Sequence, residues 1–442
     1  MLSKLLRFGR RQLHTIVSRE IIKPASPTPS QSKTYNLSLF DQIAINSHTP
    51  IVAFYPNLDQ KFQEKTKALE LKSSLSKTLT DYYPLAGRVK KSDATYVDCN
   101  DEGIEYIEAI NDSSLAEFMQ RSNHEDLDPL FPNDLIWFDA HIRGDTEGVT
   151  CPLVVQVNRF ACGGIAVAST LSHKVGDARS LLNFINHWAT VSAKKDTSLT
   201  KPQILHYQTK NIKLPDILSD KSRVGCVTKS FLFPNQKLND LKAKVTAMTI
   251  EAGQPITNPT RVEALSWMLH NRTMAAATKR NSGTFKPSGM LFPTDMRGIL
   301  AEKLPGTSLG NLNFVIEFPT TNQNDLEPHI TLGEMRKRKA AFQSIPNLDT
   351  ATEIVSQMSP ETALETSKRI DPYHIYSSLS RFPAYDIDFG WGKPVKVTLG
   401  GTVKNVTVLM PAPDGNGIEA VMCLEKEDMK LVQNDPELLA YC

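Results

Sequence analysis

The sequence predicts an α/β protein with mixed sheets, divided into two domains. Three observations point there. Apolar runs with a period of two alternate along the chain with runs at helical spacing. The 442 residues exceed what one hydrophobic core ordinarily organises. A lysine-rich stretch from Ser192 to Asp220, with prolines at Pro202 and Pro215 and few apolar anchors, reads as a linker crossing the surface. The expected division is an N-terminal extension over 1–20, a first domain over 21–195, a crossover over 196–224 and a second domain over 225–442.

Taken in order, the first nineteen residues place Leu2, Leu5, Leu6, Leu13, Ile16 and Val17 on one helical face. Lys4, Arg7, Arg10 and Arg11 lie largely off it, and no acid precedes Glu20. This is the pattern of a mitochondrial transit peptide, with a short surface extension as the alternative. From Ile21 to Pro29 the prolines force an extended path, and Ile51-Val52-Ala53-Phe54-Tyr55 reads as a core strand. Phe62 to Thr80 carries Leu69, Leu71, Leu75 and Leu79 among lysines, an amphipathic helix that Tyr83-Pro84 stops. Tyr83 to Arg88 is a tight apolar turn into a strand, and Val97 to Ile110 reads as short strands around a turn at Asn100-Asp101-Glu102-Gly103. In the second half, Cys226 to Phe233 is a strand and Asn239 to about Ala247 a helix. Thr260-Arg261-Val262-Glu263 has the capping-box spacing of a stronger helix start. Lys279-Arg280 follows in what reads as a solvated polar loop.

Composition excludes several classes. Hydrophobic residues at 40% and charged residues at 22% are ordinary globular proportions, and a net charge of +2 without a basic, aromatic-interleaved run excludes a nucleic-acid surface. No apolar stretch approaches the roughly twenty residues needed to cross a bilayer. The six cysteines lack a Cys-x-x-Cys pair and read as reduced thiols of an intracellular protein; Cys162, inside a turn, is not read as a catalytic thiol.

The stretch that carries chemistry is Ser172-His173-Lys174-Val175-Gly176-Asp177. Before it, Leu153, Val155 and Val157, then Ile165, Val167, Ser169 and Leu171, alternate around a turn at Ala161-Cys162-Gly163-Gly164, the pattern of a β-hairpin. After it, Leu181, Leu182, Phe184, Ile185, Trp188 and Ala189 fall at helical spacing. His173 therefore stands where a buried strand gives way to a helix. An imidazole with an ordinary pKa of about 6.5 can take and return a proton near neutral pH. Asp177 either orients that ring or ties the turn to an arginine elsewhere. The spacing lacks the second histidine of a His-Glu-x-x-His helix and no third ligand cluster stands out, so no metal is expected.

Together with Tyr385-Asp386-Ile387-Asp388-Phe389-Gly390-Trp391-Gly392-Lys393-Pro394, this motif resembles the plant BAHD acyltransferases, which transfer acyl groups from coenzyme A thioesters. The resemblance covers nearly the whole chain and includes Ile22-Lys23-Pro24, Tyr83-Pro84-Leu85-Ala86-Gly87-Arg88, Val97-Asp98-Cys99-Asn100-Asp101 and Gly310-Asn311. It implies two chloramphenicol-acetyltransferase-like domains with a central channel, His173 as general base, no permanently bound cofactor, acyl-CoA as co-substrate and a small-molecule alcohol as acceptor. Leu291-Phe292-Pro293-Thr294-Asp295-Met296-Arg297 matches a family segment that usually has asparagine and leucine at Asp295 and Met296; the resemblance makes Arg297 the partner of Asp177, which is then structural. Asp388, Gly390, Trp391 and Gly392 are likewise expected to be structural and near the site, with Asp388 paired to a buried arginine. Ser377 is the candidate oxyanion donor; two positions on, Leu379 stands where many members have tryptophan.

The family also implies a cytoplasmic monomer, with the mitochondrion as the alternative compartment. The branch most resembled acylates specialised metabolites, with a sugar or sugar-ester hydroxyl favoured over an alkaloid or terpenoid alcohol. N-acylation and a non-catalytic binding protein are the rival classes. Condensation domains of peptide synthesis carry two adjacent histidines, whereas Ser172 precedes His173.

Overall fold

The computed structural model describes every residue except 1–13, 58–63, 91–94, 122, 133–148, 196–199, 207–224, 358–372 and 402. Two six-stranded mixed sheets organise it. The first runs, in spatial order, His14–Ile22, Ile104–Asn111, Leu153–Phe160, Ile165–Ser172, His48–Tyr55 and Lys396–Leu399. Its neighbours are antiparallel except Ile104–Asn111 against Leu153–Phe160. The second runs Cys226–Pro234, Gly417–Glu425, Val406–Pro411, Tyr373–Ser378, Ser288–Asp295 and Asn313–Thr320, with Tyr373–Ser378 parallel to both its neighbours.

Period-two alternation builds the first core. Ile51, Ala53 and Tyr55 share a face with Val155, Val157, Val167 and Leu171, and that face is covered by Leu71, Leu75 and Leu79 of helix Glu64–Asp81 and by Leu181, Phe184 and Trp188 of helix Ala178–Ser192. Each such fully buried large side chain contributes about 1.5–3 kcal/mol. The Trp188 indole donates to Leu71 O at 3.1 Å and Ser74 Oγ at 3.0 Å, so its one polar group is buried without loss. On the opposite face Val52, Phe54, Ala166 and Ala168 pack against Leu115, Phe118 and Leu130.

In the second half, helices Asn235–Glu251, Arg261–Arg280 and Pro328–Gln343 cover one face of the sheet with Leu238, Leu241, Leu265, Met268 and Leu332. The expected capping box is present: Thr260 Oγ1 accepts from the Glu263 amide at 3.1 Å and Glu263 Oε2 from the Thr260 amide at 2.8 Å. The other face turns Val406, Val408, Met410 and Val421 into the first core. The halves are further joined where strand Lys396–Leu399, from late in the chain, pairs with His48–Tyr55, and where Lys396 meets the buried Glu419 at 2.9 Å.

Two local expectations are corrected. From His14 onward the N-terminal segment is not helical: His14–Ile22 is an edge strand paired antiparallel with Ile104–Asn111, bulged between Ile16 and Ser18. β-Branched Thr15, Ile16, Val17, Ile21 and Ile22 favour the extended backbone, and the ladder satisfies it. Residues 1–13, which carry the rest of the transit-peptide pattern, lie outside the described residues, as does most of the crossover; its described part includes Gln203–Ile204, parallel to Ser308–Leu309. Lys279 and Arg280 are the last turn of helix Arg261–Arg280 rather than a loop, and Arg280 is paired with Asp428 at 2.7 Å and Glu425 at 3.2 Å. Cations favour a helix C-terminus.

Candidate active site

Strand Ile165–Ser172 is buried along its whole length, and His173 is the residue that leaves it. The His173 amide donates to Ser47 O at 2.8 Å, and the turn is closed by Val175 N to Ser172 O at 2.9 Å. Helix Ala178–Ser192 then begins, capped by Asp177, whose Oδ1 accepts from the Ser180 amide at 2.8 Å. A hydrogen-bonded strand end and a capped helix start thus hold the histidine from both sides.

The ring is half-buried. Its Nδ1 lies 2.8 Å from Asn311 Oδ1, and Nε2 makes no hydrogen bond among the described residues. The Asn311 amide nitrogen donates to Asp41 Oδ1 at 2.8 Å and to the His173 carbonyl at 2.6 Å, both acceptors. That assignment turns Oδ1 toward the ring, and an oxygen opposite Nδ1 requires the proton on Nδ1. Nε2 carries the lone pair. Burial pushes the imidazole below its usual pKa, opposed by the Asp177 charge and the Asn311 bond, and so favours the neutral form.

Asp177 does not bond to that ring. Arg297, 1% exposed, takes it with Nη1 to Oδ2 at 2.8 Å and Nη2 to Oδ1 at 3.1 Å, and the Leu312 amide adds a bond to Oδ2 at 3.1 Å. Burial alone would raise the carboxyl pKa, but Arg297 and the amides of Ser180 and Leu312 outweigh it and hold the group below the usual carboxylate range. The remaining Arg297 donors reach Ser308 O, Gly310 O, Ser180 Oγ and Asp295 Oδ1. Gly310, at φ +126°, adopts a backbone that only glycine takes readily and aims its carbonyl at the guanidinium. Asp295 also pairs with Arg179. The buried pair is thus a hub that binds the His173 turn to the loop carrying Asn311.

Ser377 lies on strand Tyr373–Ser378, in register with Val408 on the face turned toward the first core. Its hydroxyl is half-buried and without a bond among the described residues, whereas Leu379 is buried in that core.

Asp388, Gly390, Trp391 and Gly392 are not beside His173. Gly390 approaches Ala193, just past helix Ala178–Ser192. At about 1.5 Å per residue that 15-residue helix separates the two ends by roughly 22 Å. Nor does Asp388 meet a buried arginine: it pairs with the exposed Lys195 at 2.7 Å and accepts from the amides of Gly390 and Gly392 at 2.8 and 2.9 Å. A turn with two free amides supplies the partners that the sequence reading gave to arginine. Trp391 stacks on Phe389 at 5.4 Å and meets Tyr55 edge-on at 6.1 Å.

Two residues at the site were not singled out by sequence reasoning. Asn311 appeared only inside the Gly310-Asn311 segment, and Asp41 not at all. The Ser38-x-x-Asp41 spacing was legible as a capping box, but nothing local tied it to the histidine.

A family model described as "Transferase family" matches residues 14–439. The chain is 34% identical to Acyltransferase Pun1 of Capsicum frutescens, over 97% of this chain and 98% of that protein. It is 31% identical to Acylsugar acyltransferase 3 of Solanum lycopersicum, over 97% of each. Among solved structures it matches vinorine synthase with a TM-score of 0.80 at 27% identity, covering 97% of this chain and 98% of that one. Similarity that runs nearly from end to end, on a mixed-sheet fold of the chloramphenicol-acetyltransferase type with its histidine at a strand end, establishes that this chain belongs to the plant BAHD family and is an acyltransferase.

Proposed function

We propose that the protein moves an acyl group from a coenzyme A thioester to a hydroxyl of a plant specialised metabolite, with His173 as general base. The observation that carries this reading is the setting of the ring: Nδ1 lies 2.8 Å from Asn311 Oδ1, an acceptor that calls for the proton on Nδ1, and Nε2 is left without a protein partner among the described residues. An alcohol lies roughly nine pKa units above imidazolium, so the base cannot store an alkoxide and must take the proton as the oxygen attacks the thioester carbonyl. The tetrahedral oxyanion then collapses and expels the coenzyme A thiolate, to which the imidazolium returns the proton. Donor and acceptor meet in one ternary complex, and no acyl-enzyme forms.

Ser377, with its unpartnered half-buried hydroxyl, is the proposed oxyanion donor. Asp177 and Arg297 act by holding the turn. The proposed active unit is a monomer. A sugar or sugar ester is the proposed acceptor class, supported by the full-length similarity to Acylsugar acyltransferase 3.

Product mass spectrometry on a mixed pool of sugar, alkaloid and terpenoid alcohols with several acyl-CoA donors tests this. Acylated sugars and free thiol are expected from the wild type, and neither from His173→Ala. Turnover that survives in His173→Ala overturns the role of the base. Thiol release with amines alone overturns the acceptor chemistry.

A further inference from the structure

Asp41 lies on the short helix Leu39–Ile43, far from His173 in sequence, and is fully buried. Its two oxygens divide their work. Oδ2 accepts from Ser38 N at 2.9 Å and Ser38 Oγ at 2.7 Å, the local cap. Oδ1 accepts from Asn311 N at 2.7 Å and Asn311 Nδ2 at 2.8 Å, across to the other half of the chain. A buried carboxylate is expensive, and burial raises its pKa. A capping box on so short a helix needs only the Ser38 side, so the Oδ1 contacts call for a separate reason.

The reason lies in the symmetry of an amide. The oxygen and nitrogen of Asn311 are nearly equal in shape, so only their partners decide which end faces His173 Nδ1. A flipped amide would put its oxygen against the Asp41 carboxylate and the His173 carbonyl, and its NH2 against Nδ1. The ring would then have to carry its proton on Nε2, and the lone pair would be lost where the hydroxyl must give up its proton.

We propose that Asp41 is a positioning residue that fixes the tautomer of the His173 imidazole through Asn311. This rests on His173 being the base. Every contact to the Asp41 carboxylate is a donor, so in Asp41→Asn the new NH2 must oppose either Ser38 or Asn311. The same helix also anchors the neighbouring residue of the motif, since Lys174 Nζ donates to Gln42 O at 2.9 Å.

The test compares Asp41→Asn, Ser38→Ala and the double variant Asp41→Asn/Asn311→Asp, by turnover and by 15N spectra of histidine-labelled full-length protein. In the wild type the His173 signals should show a protonated Nδ1 and a bare Nε2. Asp41→Asn should lose that single tautomer and at least about 100-fold in kcat with coenzyme A affinity unchanged, as befits an impaired general base. Ser38→Ala, which removes the cap hydroxyl and one donor to Oδ2 but leaves both Oδ1 contacts to Asn311, should lower melting but keep the tautomer and kcat within about twofold of wild type, because cap loss acts on stability. The double variant returns an acceptor-only group opposite Nδ1 but sets its other oxygen against the His173 carbonyl and leaves the residue-311 amide facing the new NH2, so it should recover the wild-type tautomer with only about tenfold of the lost turnover.

A wild type with its proton on Nε2 overturns the proposal. So does a folded Asp41→Asn with an unchanged tautomer, or equal loss of kcat in Asp41→Asn and Ser38→Ala. Should Asp41→Asn not fold, the double variant decides: recovery supports the proposal, and failure to fold there too assigns Asp41 to folding and overturns it. The spectra report the tautomer whatever the reaction, so a failure of His173 as base, seen as turnover in His173→Ala, is read separately.

Discussion

Arg297 grips Asp177 through both terminal nitrogens, at 2.8 and 3.1 Å, while the neighbouring His173 ring bonds to Asn311 instead. The aspartate of the motif is therefore an anchor for the turn, and the asparagine is the partner of the imidazole. The two roles make separable predictions.

Removing one side of a buried ion pair leaves the other charge uncompensated. Asp177→Ala should cost about 3–5 kcal/mol in stability, measured by urea unfolding, with activity lost through the disordered turn. Asp177→Asn, which can still cap the helix and accept from Arg297, should lose less. A variant with unchanged melting but no activity would return Asp177 to direct chemistry.

Burial holds the His173 pKa below its ordinary value, so the imidazole stays unprotonated further into acid. The acid limb of kcat/KM, which reports the free enzyme, should fall below pH of about 6.5, and rate should be lost as pH drops through the folded value. Asn311→Ala removes a bond that raises this pKa, so the limb should move further toward acid alongside a lower plateau. A limb above the ordinary histidine range would contradict the assignment.

His270 is buried on helix Arg261–Arg280, with Nε2 3.0 Å from Thr320 Oγ1 and the His374 ring 5.8 Å away. Burial first, and the His374 charge second, push its pKa well below the usual value. The folded protein thus refuses a proton that the unfolded chain accepts near pH of about 6.5. Stability from this site is complete above that pH and declines as pH falls beneath it. Unfolding free energies between neutral and mildly acid pH should show this slope, and His270→Phe should flatten it.

Gly390 sits at φ +101°, and a Cβ there would lie 3.3 Å from Ala193. Gly390→Ala should lower stability by about 1–2 kcal/mol through the strained backbone. Its KM for acyl-CoA should change little, because the turn is a helix length away from His173. A selective loss of coenzyme affinity with normal melting would place the turn in substrate binding.

Much of the fold was legible because its signals are local. The alternation of Ile165, Val167 and Leu171 followed by the helical spacing of Leu181, Phe184 and Trp188 specifies a strand and a helix without reference to anything distant, and Thr260 with Glu263 specifies a helix start for the same reason. Partners across the chain were another matter. Arg297 was reached through family resemblance; spacing could not have found it. The Asp41–Asn311 contact was not reached at all, since a capping-box aspartate looks the same whether its second oxygen faces water or another lobe. Asp388 was misassigned because a buried-looking motif suggested a charged partner, when two turn amides and Lys195 suffice. Residues 14–19 were misread because a basic segment with scattered leucines fits a helical wheel, while the β-branched run of His14–Ile22 finds a sheet edge to join.

Strand Lys396–Leu399 closes one side of the first sheet although most of the chain separates it from His48–Tyr55, the strand it pairs with. During synthesis, then, the sheet that leads into the histidine waits with its His48–Tyr55 flank uncovered until residues 396–399 have left the ribosome. An exposed flank of that kind invites pairing with other nascent chains. Truncation before residue 396 should therefore yield aggregate rather than an isolated histidine-bearing lobe, which sedimentation of such fragments would reveal.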